Sequence, residues 1–358
     1  LKKNSLINSK GISVIFLIIA MLLMVIIGYI FSYLIPSKQK SVVFPIQSTQ
    51  AFFIAQSGVE FAVRYANCNH WTTTALLNNL NIPPNNTRNL GAGRFTLTYT
   101  NVAPNLDTLV SVGEVPSNTE RRRIAVSNFT SFLKSITYFA SASTPLDNHT
   151  NTANPTAVTP PGGMQEGDLV LMMAVSRASS GTLAISNAGG QSWTTEPQQN
   201  QTNCRIRLFW CRFNGTWSAN PSVSFGNNNP HIVVIHVFRP PYTSSLWEVD
   251  VAQVDGNFAA PSPPRTVTIP GITTITDGAL VFAGWASSDN NTWGSLTAGW
   301  SIPGLDQYRN SSGNDQSETH AYRVMATAGA SGNVSKNMTS GGGDAGAYLI
   351  IAFRAVCP

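Results

Sequence analysis

The chain has 358 residues, 42% apolar and 11% charged, which excludes a charge-rich disordered protein and leaves room for two or three modest domains. Its net charge of +5 comes from the N-terminal stretch, where Lys2, Lys3, Lys10, Lys38 and Lys40 occur without a carboxylate before Glu60. The remainder is balanced, so no broad basic surface for nucleic acid is expected. Four cysteines with no C-x-x-C pair exclude a disulfide-dense miniature scaffold and give no zinc or dithiol motif.

Residues 12–35 (ISVIFLIIAMLLMVIIGYIFSYLI) form a run of 24 without a charge. As a helix rising about 1.5 Å per residue it would measure about 36 Å, enough for a hydrocarbon core of about 30 Å. A transmembrane helix is therefore expected, and the slight excess of lysines before it places the N-terminus in the cytoplasm. A cleaved secretory signal is a poor fit, because the run is too long and lacks a small-x-small site. Residues 47–66 (QSTQAFFIAQSGVEFAVRYA) place Phe52, Ala55, Val59, Ala62, Val63 and Ala66 at helical spacing, so the helix continues beyond the run. Pro36 and Pro45 are expected to kink or locally melt it.

The leader LKKNSLINSKG followed by ISVIFLIIAMLL resembles the start of a prepilin, and the Ala-rich run at 47–66 resembles minor pilins of the PilX type and K-type pseudopilins. The resemblance implies cleavage by prepilin peptidase between Gly11 and Ile12, N-methylation, passage through the inner membrane, and assembly with other pilins or pseudopilins. Major pilins carry Glu at the fifth position after the cut, where it pairs with a neighbour's terminal ammonium. Here that position is Phe16. Loss of the carboxylate would leave a buried ammonium unpaired inside a fibre, which implies a minor subunit at the tip, periplasmic or extracellular.

Downstream, RFTLTY at 94–99, LDTLVSV at 106–112 and residues 124–129 read as strands of a small antiparallel head, with a turn at 116–118; this stretch resembles the β-head of minor pilins. Arg121, Arg122 and Arg123 beside Glu120 read as a solvated turn. From about 135 onward Gly, Asn, Ser, Thr and Pro separate short apolar runs, an all-β pattern. Buried strands are expected at 169–175, 232–238, 279–285 and 348–353. The halves repeat: GDLVLMMAVS matches DGALVFAGWAS, HIVVIHVFR matches GAYLIIAFR and NPSVSF matches SGNVSKNM, with an offset near 110 residues. Four strands from each half would make one eight-stranded, jelly-roll-like sandwich. Pro161, Gly163, Gly167, Asp168 and Leu169 resemble a motif of β-sandwich modules on phage tails and bacterial surface proteins, which are usually adhesive or structural.

Catalytic motifs are missing: there is no G-x-S-x-G, H-E-x-x-H or Walker loop, and the glycines at 341–343 lack a phosphate-binding lysine. His231 and His236, five apart in one strand, point to opposite faces and cannot share a metal. Glu318 and His320 share a face and read as a surface pair. Cys204 and Cys211, seven apart, also point oppositely, so a direct bridge is excluded; their pairing with Cys68 or Cys357 stays open. Of eight tryptophans, Trp293 in SDNNTWGS is the loop-tip candidate for stacking on a sugar. The loops at 289–291 and 310–315 lack an ordered calcium-ligand spacing.

The sequence thus predicts an α+β chain. Its parts are a leader at 1–11, a transmembrane helix at 12–35, an amphipathic extension at 36–70, a β-head at 71–134 and a jelly-roll-like sandwich at 135–358. The expected role is a structural or adhesive tip subunit of a type IV pilus or type II secretion pseudopilus. No enzyme activity, cofactor, metal or nucleic-acid partner is expected, and a surface glycan or protein is the expected ligand. The alternatives are an uncleaved anchor displaying a glycan-binding sandwich and, behind it, a carbohydrate-active enzyme, for which paired carboxylates are lacking.

Overall fold

The computed structural model describes all residues except 1–8, 116–119, 145–151, 179, 260–261, 314, 342 and 358, and it leaves undescribed the side chains of 9–15, 33–44 and 144. Two compact units result: residues 1–62 with 78–129, and residues 63–77 with 130–358.

Helix α1 runs Ser9–Cys68, with its residues up to 62 in the first unit, and continues through Pro36 and Pro45 without a break. Its partner is an antiparallel meander of β1 (Thr87–Leu90), β2 (Gly93–Val102), β3 (Asn105–Glu114) and β4 (Arg121–Ser127), paired in that order. Strand β2 alternates in the expected way, with Phe95, Leu97 and Tyr99 buried. The buried helix stripe is Ala51, Ile54, Ala55, Gly58 and Ala62, whereas Phe52 and Phe53 face outward. This shifts the expected face by about one residue, and the cause is closeness of approach. A Cβ at Gly58 would collide with Ser111 Oγ and the Phe95 ring, and one at Gly113 would collide with the backbone of Ala51 and Ala55. Only small residues fit such a seat. Arg121 lies in β4, not in a turn; it and Arg94 bracket Glu114 at 2.9 and 2.7 Å.

The second unit holds two versions of one arrangement. The first comprises β5 (Thr137–Thr144), β6 (Thr156–Ala157), β7 (Leu169–Ser176), β8 (Ala184–Asn187), β9 (Thr194–Thr195), β10 (Gln199–Gln201), β11 (Cys204–Arg212), β12 (Ser222–Ser224) and β13 (His231–Arg239). The second comprises β14 (Leu246–Phe258), β15 (Arg265–Ile269), β16 (Thr273–Thr274), β17 (Leu280–Ser287), β18 (Thr292–Leu296), β19 (Tyr308–Asn310), β20 (Gln316–Val324), β21 (Gly329–Ala330), β22 (Val334–Ser340) and β23 (Gly346–Val356). The large sheets read β10-β11-β7-β13-β5 and β19-β20-β17-β23-β14, and the small sheets read β6-β12-β8 and β15-β22-β18. Strand for strand the two orders correspond, so the offset seen in the sequence is a duplication of fold.

Each repeat is a complete sandwich, and the two large sheets pack face to face. The layer between them contains Leu171, Met173, Ile206, Leu208, Val234, Phe282, Leu349 and Ile351. One outer layer lies under the first small sheet, around Val170, Phe209, Val223 and Ile235; the other lies under the second, around Val267, Trp285, Val334 and Met338. Every residue of β7 and of β17 is buried, because each large sheet is covered on both sides. The expected single eight-stranded sandwich is replaced by four layers, since each repeat brings its own cover sheet.

The fold class is corrected as well: among the described residues the protein is mostly β, with 46% strand and 17% helix. Among the described residues no helix is long and apolar enough to cross a membrane, so the transmembrane expectation for 12–35 is overturned. That run is not a separate element; it is the first part of a helix whose later turns pack on the head. The leader residues 1–8 lie outside the described residues, and Gly11 and Ile12 lie in the helix backbone with their side chains undescribed.

Candidate functional site

Strand β13 sends His231 and His236 to opposite faces, as the odd spacing requires. His231 enters the outer layer, stacked on Phe225 with centroids 4.0 Å apart and held by Thr156 Oγ1 at 2.5 Å and Asn229 O at 2.8 Å. His236 enters the central layer and begins a polar chain. Tyr138 donates its hydroxyl to Ser141 Oγ at 2.8 Å, and Ser141 Oγ lies 2.5 Å from His236 Nδ1. His236 Nε2 lies 3.0 Å from His320 Nδ1, and His320 Nε2 lies 3.5 Å from Glu318 Oε2. With both imidazole protons on Nε2, each hydrogen-bonded link from Tyr138 to His320 has one donor and one acceptor, while the 3.5 Å approach of His320 Nε2 to Glu318 makes no hydrogen bond.

Glu318 and His320 share a face of β20, but they are fully buried and not on the surface. The signal for a surface site was their charge; what buries them is the opposing large sheet, which a single strand's pattern does not reveal. Among the described residues, both Glu318 oxygens, His320 Nε2 and the neighbouring Gln316 Oε1 have no hydrogen-bond partner. Burial, and then the neighbouring His320, pushes the His236 imidazole well below its usual range. Burial, and then Lys336, takes His320 down to about 3. Burial pushes the Glu318 carboxyl well above the usual carboxylate range. Burial thus favours the neutral form of all three, the imidazoles against protonation and the carboxyl against ionisation.

Cys204 and Cys211 point to opposite faces of β11 and are free thiols, one in the central layer and one in the outer layer of the first repeat. Cys68 is bonded to Cys357. Trp293 is not at a loop tip. It lies in β18, 3% exposed, with its indole N–H donated to Ser317 Oγ at 3.1 Å, so its ring face is closed to a sugar. The surface-module motif is structural here: Arg239 holds both Asp168 oxygens at 3.1 Å, and Asp168 Oδ2 accepts from Gln165 N at 2.8 Å. Among the described residues no group of three or more His, Cys, Asp or Glu side chains is arranged to hold a metal.

A second surface of interest lies on α1. From Phe16, 71% exposed, to Phe31 the large apolar side chains all stand open, a stretch far larger than scattered surface hydrophobics. Comparison with protein-family profiles, with curated proteins and with solved structures returns no match.

Proposed function

We propose that this protein is a minor subunit of a pilin-type filament, in which α1 is the assembly element and the paired sandwiches are the displayed, non-enzymatic recognition part. The observation that carries the reading is the open apolar stretch on α1 from Phe16 to Phe31. Sister helices would remove that surface from water, at about 25 cal/mol per Å² of apolar area. The small-residue seat of the same helix on a four-stranded antiparallel meander supports a pilin-like head. Phe16, in place of a carboxylate, fits a position at the filament end. The partners in this reading are prepilin peptidase and other pilins or pseudopilins.

Intact-mass measurement on protein from hosts with and without the peptidase tests it. The expected product lacks residues 1–11 and carries one methyl on Ile12 only where the peptidase is present. An identical, unprocessed N-terminus in both hosts overturns the reading.

A further inference from the structure

The duplication supplies an internal control for the buried polar chain. The pairing registers align the repeats residue by residue. Leu208 faces Met173 as His320 faces Gly284, Ile206 faces Val175 as Glu318 faces Ala286, and His236 faces Leu171 as Ile351 faces Phe282. With β7 and β17 aligned as LVLMMAVS on LVFAGWAS, His320, Glu318 and His236 occupy positions where the sister repeat carries Leu208, Ile206 and Ile351. Aliphatic residues therefore satisfy the architecture at all three places. Among the described residues the ionisable versions leave three buried polar atoms without a hydrogen bond, both Glu318 oxygens and His320 Nε2, and each such orphan weakens the closed interface. The three ionisable residues also meet one another across the interface, from β13 of one repeat to β20 of the other.

We propose that Ser141, His236, His320 and Glu318 form an acid-operated latch between the two repeats, closed while the imidazoles are neutral and opened between the large sheets when they are protonated. The chain reaches the surface at Tyr138, which lines a hollow of about 500 Å³ with Tyr322, Ser301 and Arg323, so a proton has a hydrogen-bonded route inward. The other titratable groups facing the layer are Tyr308 from β19 and Cys204 from β11, which burial holds in their neutral forms. Lys336 approaches His320 from β22 on the other side of β20, anchored by Thr319 Oγ1 at 2.8 Å and by Asp306, and it opposes a second positive charge. Arg177, at the layer's edge, is held by Asp315 O at 3.0 Å and by Ser288 O.

The sign follows from linkage. Both imidazoles have lowered values in the closed state, so opening takes up two protons once the pH is below about 6.5; Glu318, raised in the closed state, releases one on opening while the pH is above about 4.5. Net uptake is one proton between those limits and two below them. Stability of the closed interface therefore falls as pH falls below about 6.5, whereas above that value the proton Glu318 releases on opening gives a slope of the opposite sign.

The two free cysteines are the reporters, since Cys204 lies in the layer that opens and Cys211 lies in one that does not. The full chain is treated with 4,4′-dithiodipyridine, whose disulfide stays reactive toward thiolate in acid because its pyridine nitrogens protonate and activate the leaving group, and modification is read by peptide mass spectrometry from pH 7.5 to 4.5. The expected result is Cys204 labelling that rises about tenfold per pH unit below about pH 6, with Cys211 protected. The variant H236I/E318I/H320L, which installs the sister-repeat residues, is expected to lose that slope. Should it not fold, H320N alone must reduce the slope. Labelling of both cysteines together, no acid increase at Cys204, or an unchanged slope in a folded variant overturns the latch.

Discussion

Trp293 and Lys336 show how far single residues depart from what their neighbours in sequence advertise. Trp293 is set among Ser, Asp, Asn, Thr and Gly, which read as a loop tip, yet it packs in the layer with Val267, Trp285 and Met338. The lost signal is the short strand β18, which has too few residues to show a period. Trp293→Ala is expected to destabilise the protein by about 3–5 kcal/mol, because it opens a cavity and leaves Ser317 Oγ without its donor; thermal unfolding checks this. Lys336 is buried in β22 where the aligned SVSF of the first repeat has Phe225, and Thr319 and Asp306 satisfy its ammonium. Nothing in SGNVSKNM marks that lysine as internal. The opposite faces of His231 and His236, and of Cys204 and Cys211, were readable because strand parity is independent of what covers the strand.

At the scale of elements, continuous apolar runs were legible as buried strands, although the usual inference from such runs is a parallel sheet. Here every pairing around β7 and β17 is antiparallel, and the runs arise because two layers cover each sheet. The small cover sheets were not legible: β6 and β12 are two and three residues long. The helix in the head was legible by periodicity, but its buried stripe was misplaced toward Phe52, since hydrophobicity ranks Phe above Ala whereas the closest points of the seat, at Ala51, Ala55 and Gly58, admit only small residues. Gly113→Val tests that seat. Its side chain would strike the backbone of Ala51 and Ala55, where nothing flexible can yield. A loss of about 1–3 kcal/mol or more is expected, read as earlier loss of helical signal in urea.

For the whole molecule, the sequence offset announced the duplication but not its consequence, because repeats can share one core or build two. The disulfide joins residues 289 apart in sequence, closing nearly the entire second unit into a loop. The loop-entropy relation gives about 6 kcal/mol for a loop of this length. Reduction, or Cys68→Ser with Cys357→Ser, is expected to lower the unfolding midpoint without altering the strand pairings, as circular dichroism and denaturant titration would register.

The face-to-face packing of the two large sheets also bears on how such a chain is built. Each repeat keeps one apolar face that its own cover sheet never reaches, the face carrying Leu169, Leu171 and Met173 in the first and Phe282, Leu349 and Ile351 in the second. A lone copy is thus half-finished in water, and its natural remedy is a twin. Tandem fusion of the two makes that twin permanent, and it frees the buried seam between them to diverge, as the histidines and the glutamate on it have done.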